Sequence, residues 1–501
     1  MSAPTITEAR YRELAIEAHA KNPLISALPP QLTPNRLHQL LKVIPSVEYS
    51  GDDSKFDKIH KIKQLKNFVV PTKPFLTFYK LCYELIVSSY ENRNPLSPKT
   101  IAWDYDICDP NISVSNLRAS GKVTTDGSEP TSEHAFLSGF SGMGKTKLKN
   151  AVISTTLPNI IKHTRPDFDE IQITTIQVSV PSTASQASFL FGIVLEFDRL
   201  LKGTEKANHV SSVLTASGRI AKPDVLIQKV YSLCRLYHVG LVIIDEFQNL
   251  KVLSGAYLTK ILQLFDNISN DAKVSVLKIG TNESLSIFDR RLRHARRAGR
   301  YIELLPYIPQ SRSQSKVSAS SEKDWSAMLD AIFNFQLTPS PIQRTDTMEQ
   351  CLYDLSKGIP YILFKLWQQA QISLVESGHT EITVELLKKT YIEHFQLIDI
   401  ALNNIGMNRT QGFSELITIS QLLDNGDNKT AIKKLGKQLR TEPVTGPSAT
   451  AILELLNDSV DPATLSASDK NEIRKIKEEL QRNAQRHVAG QTVESKSNDG
   501  R

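Results

Sequence analysis

Residues Gly139-Phe140-Ser141-Gly142-Met143-Gly144-Lys145-Thr146 satisfy GxxxxGK[ST] at every specified position. The pattern makes an anion cradle: its glycines let backbone N–H groups turn inward, and a following helix N-terminus adds partial positive charge. Lys145 supplies a point cation for the β- and γ-phosphates of ATP, and Thr146 supplies a hydroxyl ligand for Mg2+. A chance Gly/Ser-rich turn is the plain alternative. A strand candidate just before the motif and a helix-compatible run beginning near Lys145 argue against it.

A second constellation is Leu241-Val242-Ile243-Ile244-Asp245-Glu246. Alone, an apolar run closed by two acids is an ordinary strand end. Behind a complete phosphate loop it acquires a use. Asp245, at the carboxyl edge of a buried strand, joins Thr146 in holding Mg2+ directly or through water, and Glu246 polarises the attacking water as general base. A third strand candidate, Val274 to Ile279, runs into Gly280-Thr281-Asn282. Asn282 or Thr281 can orient the water between Glu246 and the γ-phosphate; both also suit a helix N-cap. Further on, Arg290, Arg291, Arg293, Arg296, Arg297 and Arg300 crowd eleven residues. Most read as a solvated helix face. Arg296 and Arg297, with Arg293 behind them, are the candidates for an arginine finger reaching a neighbouring subunit's nucleotide.

These groups converge only if several strands lie side by side. Ala135 to Ser138, Ile171 to Val180, Leu241 to Ile244, Val274 to Ile279 and Tyr301 to Leu305 read as strands, mostly separated by helical stretches. That alternation predicts an α/β fold with a parallel sheet. The wholly apolar Leu241 to Ile244 suits a strand buried on both faces. A helix is expected from about Pro74 to Tyr90, a loop over 111–133 and a mobile insertion over 311–323. Helical patterning is expected throughout from Trp325 to about Leu423, then a charged helix over Asp469 to Arg486 and a disordered final dozen residues.

The chain has 501 residues, room for two or three domains, and 40% apolar residues, enough for a sizeable core. A formal charge of +7 permits contact with a polyanion only through a local patch. Arg199, Lys202, Lys206, Arg219 and Lys222 are the candidates for DNA contact, each also readable as plain surface charge. Four separated cysteines without a CxxC pair fit a reducing cytosol. No signal peptide is visible, and no apolar run approaches the roughly 20 residues of a membrane span. A soluble, cytoplasmic protein with no membrane partner is expected.

The landmarks together resemble an AAA+ ATPase core followed by a helical lid and a C-terminal helical or disordered tail. The finer sequence is similar to the TnsC family of Tn-seven-like bacterial transposons. Tyr11-Arg12-Glu13, Glu17-Ala18, Asn22 to Pro30 and Tyr90 to Pro95 carry that likeness, with Ile279-Gly280-Thr281, Ile287-Phe288, Leu292-Arg293 and Ala295-Arg296-Arg297. It covers roughly residues 8 to 400. Asn282 stands where the family pattern has proline. The lid's Ser356-Lys357-Gly358-Ile359-Pro360 lacks a second-sensor arginine nearby, leaving Lys365 as the nearest replacement. The resemblance implies an ATP-dependent transposition regulator that oligomerises on duplex DNA, as a ring or filament, without reading sequence. It would couple a target selector of the TnsD or TniQ kind to the transposase subunits TnsA and TnsB, and ATP hydrolysis would reset it. The domains expected are a partner-binding segment at 1–70, the ATPase core at 71–310, the lid at 324–423 and the C-terminal region at 424–501. The apolar residues from Pro23 to Pro30 suit either a partner or their own domain. The competing readings are a remodeller or helicase-type motor and a noncatalytic scaffold; Glu246 argues against the scaffold.

Overall fold

Strands of β-branched and apolar residues pair edge to edge, and five of them do so in one sheet. The computed structural model describes residues 4–108, 132–182, 185–204, 206–253, 255–285, 287, 299–309, 319–395, 470, 471 and 473–482. The chain divides into two compact units. One comprises Met1–Lys42, Pro71–Gly139 and Lys145–Leu304; the other comprises Val43–Val70, Phe140–Gly144 and Leu305–Arg501.

In the first unit, β2 (His134–Gly139), β5 (Thr175–Ser179), β6 (Leu241–Asp245), β7 (Ser275–Ile279) and β8 (Arg300–Leu304) form a sheet in the order β5-β6-β7-β2-β8. Every pairing is parallel. β6 and β7 are buried at every position, as apolar central strands require. Register brings the carboxyl ends together: Leu137 lies opposite Ile279, Gly139 opposite Leu304 and Ser179 opposite Asp245. The residues that follow β2, β6 and β7 therefore emerge along one edge of the sheet. Phe136, Ile176, Phe189, Ile244, Phe265 and Val276 belong to the core that this sheet shares with its helices.

The apolar stretch expected as one strand from Ile171 to Val180 is two. β4 (Ile171–Ile173) pairs antiparallel with β3 (Ile160–Lys162), which pairs in turn with β1 (Ile6–Glu8), while β5 joins the main sheet. Thr174 is the switch. Its N–H donates to the Asn159 carbonyl, its hydroxyl donates to the Pro158 carbonyl at 2.5 Å, and its carbonyl accepts from Leu241 N–H. Periodicity cannot reveal such a change of partner. Leu24, Ile25 and Leu28 are buried. The apolar residues between Pro23 and Pro30 thus pack within their own unit, where Gln172 Nε2 donates to the Leu24 carbonyl and Asn22 Nδ2 to the Tyr90 carbonyl. The helix expected from Pro74 spans Lys73–Glu91.

The second unit is helical, with Ala319–Phe333, Asp346–Ser356, Pro360–Ser377 and Val384–His394, and the helix Lys55–Ile62 packs on Pro360–Ser377. Residues 319–323, expected within a mobile insertion, open the first of these helices. The helical run expected from Trp325 is broken over 334–345, where Pro339 and Pro341 remove backbone donors. There Gln336 holds the turn, its Oε1 accepting from Ile342 N–H and its Nε2 donating to the Phe333 carbonyl. The expected helix near the C-terminus is helical over 470–482 where described, with Ile473, Ile476 and Leu480 buried. The helical run beyond Phe395, most of the loop at 111–133, residues 311–318 and the final dozen residues lie outside the described residues.

Candidate functional site

The phosphate loop leaves β2 at Gly139 and enters the helix Lys145–Thr156. Its two ends are tied together, because Lys145 Nζ donates to the Gly139 carbonyl at 2.7 Å. Burial pushes the Lys145 ammonium down to about 8, against the opposing pull of Glu246, Asp245 and Glu283. By surface exposure Lys145 is half-buried, and the three acids favour its charged form. Thr146, the next residue, is exposed. Within the second unit, Gly142 and Gly144 have φ of +85° and +81°, a region that favours glycine. The Gly142 carbonyl accepts from Tyr361 N–H, at the start of the helix Pro360–Ser377. A Cβ on Gly142 would meet Ile359 and Tyr361 at 3.1 Å. Lys365 lies half-buried on that same helix.

Asp245 ends β6 and is 6% exposed. Its Oδ2 accepts from Lys149 Nζ at 2.8 Å, and its Oδ1 accepts from the Glu246 N–H at 2.9 Å. Lys149 lies one turn beyond Lys145, so the helix after the loop delivers a second cation, this one to the acidic strand tip. Sequence reasoning missed it; the signal was the spacing of four residues, which places both lysines on one helix face. Glu246 is exposed and takes a left-handed backbone, φ 56° and ψ 38°. For a non-glycine residue that conformation costs about 1–3 kcal/mol and has to be held by its surroundings. The holding bonds are the Glu246 N–H to Asp245 Oδ1 and the Asn249 N–H to the Glu246 carbonyl.

Gln248 is the second residue that the sequence did not flag. Its Nε2 donates to Glu246 Oε2 at 2.6 Å, and its Oε1 accepts from the Thr281 N–H at 3.2 Å. It thus bridges the acidic turn after β6 and the tip of β7. Of the two sensor candidates, Thr281 is buried with a hydroxyl that has no hydrogen-bond partner among the described residues. Asn282 Nδ2 instead donates to Glu303 Oε1 at 3.0 Å, on β8, while its Oδ1 is buried without a partner among the described residues. Asn282 also opens a short 3-10 turn, Asn282–Ser284, for which Thr281 is the N-cap position. Arg296 and Arg297, with Arg290, Arg291 and Arg293, lie outside the described residues. Arg300 opens β8 and is paired with Glu84 and, at 2.6 Å, with Glu133.

Among the candidate DNA contacts, Arg199 is held by both oxygens of Glu196 at 2.6 and 2.7 Å. Lys202, Lys206, Arg219 and Lys222 are exposed. Arg219 sits in a small hairpin closed by the Leu214–Ile220 bridge. All four cysteines are free, and Cys108 alone of them is exposed. Among the described residues, no helix is long and apolar enough to cross a membrane.

A family model described as an AAA domain matches residues 130–288, the stretch that carries β2, the phosphate loop, Asp245, Glu246 and the tip of β7. No curated protein matches the sequence. Among solved structures, the chain is similar to the ORC2 protein of Aeropyrum pernix at 14% identity, covering 76% of this chain and 98% of that one, with a TM-score of 0.34. Drosophila ORC bound to DNA follows at 13% identity, 85% and 91% coverage and a TM-score of 0.35. Cdc6p from Pyrobaculum aerophilum shows 11% identity, 75% and 98% coverage and a TM-score of 0.31. Likenesses at that level carry no inference about partners. The fold class is that of an AAA+ P-loop NTPase, a nucleotide-binding class: a five-stranded parallel sheet with the phosphate loop after β2, in a chain that adds a helical unit.

Proposed function

We propose that this chain is an ATP-hydrolysing regulatory switch of the TnsC kind. It assembles on duplex DNA with ATP bound, couples a TnsD- or TniQ-like selector to TnsA and TnsB, and is released by hydrolysis. The observation that carries the catalytic part is the gathering of half-buried Lys145 with Asp245 and Glu246 at one sheet edge, close enough for the acids to act on the lysine, with Glu246 held in a left-handed turn. The transposition role is supported by the sequence likeness alone, in the N-terminal segment and the Leu-Arg-x-Ala-Arg-Arg run.

In this reading the loop amides of 139–146 and Lys145 receive the triphosphate. Glu246 accepts a proton from the attacking water, and the tip of β7 fixes that water. The Thr281 hydroxyl, without a partner among the described residues, suits this last task as well as Asn282 does. The oxygen donors fit magnesium: Thr146 offers an exposed hydroxyl and Asp245 a carboxylate. Both Asp245 oxygens already accept hydrogen bonds, which favours contact with the ion through water. Bound there, Mg2+ would neutralise phosphate charge. The finger role of Arg296 or Arg297, the second-sensor role of Lys365 and the functional division at 1–70, 71–310, 324–423 and 424–501 belong to the same proposal. Within 1–70 a partner would meet exposed side chains such as Tyr49 and Phe56, because Leu24, Ile25 and Leu28 are buried.

Glu246→Gln tests the switch. It removes the base while keeping size and the backbone turn. ATP should still bind, hydrolysis should fall by about a hundredfold or more, and the DNA-bound assembly should persist after ATP is withdrawn. Release of DNA at the wild-type rate would end the switch reading, and fast turnover with strand displacement by the wild type would favour a motor.

A further inference from the structure

We propose that Gln248 is a positioning residue for hydrolysis: it aims the Glu246 carboxylate and locks that aim to the tip of β7. The proposal rests on the reading of Glu246 as general base and adds what holds the base in place. Three observations carry it.

The first is polarity. The Thr281 N–H can only donate, so the Gln248 atom facing it at 3.2 Å has to be the carbonyl oxygen. An amide cannot offer oxygen on both sides. The NH2 group is therefore turned to Glu246 Oε2, and the 2.6 Å contact is a donated hydrogen bond to a carboxylate. The tip of β7 thereby dictates which end of Gln248 meets the base.

The second is backbone geometry. Glu246 sits in a left-handed turn just after the buried strand β6, and is itself exposed. A freely rotating glutamate samples several staggered positions at its first two torsions and a broad range at the third, and only some aim its oxygen at a given water. One donated bond from a residue two positions on, itself fixed at its other end, removes that freedom.

The third is the close approach that makes the bridge possible. Gly280 lies so near the turn after β6 that a Cβ there would be 3.1 Å from Phe247 Cβ; on its other side it would meet Ser284 Oγ, of the turn that follows β7, at 2.4 Å. The tip of β7 and the turn after β6 are pressed together where Gln248 spans them.

During hydrolysis the water's proton passes to Glu246, while the Gln248 N–H protons stay where they are. Gln248 contributes orientation, and orientation is expressed in kcat more than in ground-state nucleotide binding. It also makes the base sensitive to the position of Thr281, so a shift of the β7 tip misaims Glu246 without touching it.

The experiment compares wild type, Gln248→Ala, Gln248→Glu and Glu246→Gln in the full-length protein with ATP, Mg2+ and duplex DNA. Steady-state hydrolysis, fluorescent-nucleotide titration and thermal melting are measured on each. Gln248→Ala removes the bridge. Gln248→Glu keeps shape and volume but sets a second carboxylate against Glu246, so it separates a donor from a space-filling side chain. We expect nucleotide affinity within about twofold of wild type in both, KM little changed, and kcat lower by about tenfold in Gln248→Ala and by more in Gln248→Glu. Part of the Gln248→Glu loss should return at mildly acidic pH, where a protonated carboxyl can donate again. Wild-type or raised kcat in either variant overturns the proposal, as does a loss confined to nucleotide affinity. A Glu246→Gln protein that still hydrolyses ATP at the wild-type rate refutes instead the assignment of the base, a failure distinct from that of Gln248.

Discussion

At the scale of single residues, the acidic strand tip is crowded with cations before any ligand is considered. Lys149 neutralises Asp245, and half-buried Lys145 lies close enough to Glu246, Asp245 and Glu283 to feel all three. Lys145 titrates near 8, against an ordinary value of 10.5, because burial disfavours its charged form. A lysine depressed in this way handicaps the folded protein below about pH 8, and the handicap fades as pH rises towards 10.5. A bound triphosphate would pull the value back up. Nucleotide binding should therefore take up a proton around pH 8, and affinity should fall as pH climbs above that value, by up to about tenfold per unit. Calorimetry of ATP binding in buffers of different ionisation enthalpy reads the proton directly. A binding enthalpy independent of the buffer at pH 8 would remove Lys145 from the phosphate site.

At the scale of elements, the parallel register decides which residues can meet. β2, β6 and β7 end at the same level, so a lysine after one, two acids on another and a polar tip on the third share an edge. Gly280 sets the spacing between two of these ends. In Gly280→Ala the new methyl meets Phe247 and the buried Ser284, and overpacking of this kind costs about 1–3 kcal/mol. The variant should melt lower and should lose kcat, because the Thr281 N–H moves off Gln248, while nucleotide affinity survives. Thermal melting with single-turnover hydrolysis checks both effects; an unshifted melting temperature would mean that the strand tip has slack.

At the scale of the whole molecule, the net charge of +7 is too small to carry the proposed DNA contact by itself, so that proposal requires a local patch. Glu196 cancels Arg199, and exposure favours Lys202, Lys206, Arg219 and Lys222. If the hairpin carrying Arg219 lies on duplex DNA, Arg219→Ala with Lys222→Ala should weaken binding equally on unrelated sequences. The slope of log affinity against log salt should become shallower by about one to two. Titrations at several salt concentrations on two unrelated duplexes test it. An unchanged slope would move the DNA contact elsewhere on the chain.

The phosphate loop and the acidic pair are legible in the chain as contiguous runs whose chemistry is local, and the parallel sheet as an alternation of strand and helix patterns. Gly139 to Thr146 and Leu241 to Glu246 need no distant partner to be recognised. Tertiary structure decided what depends on neighbours far along the chain. Thr174 splits one apolar run between two sheets because Asn159 and Leu241 claim opposite sides of its backbone. Lys149 becomes a counter-ion because Asp245 lies beside its helix. Gln248, an ordinary turn residue in sequence, becomes a bridge because Gly280 lets the tip of β7 close on the turn after β6. Local patterns record what a residue can do, whereas the meeting of side chains is fixed by strand register and close packing, which no short stretch of sequence contains.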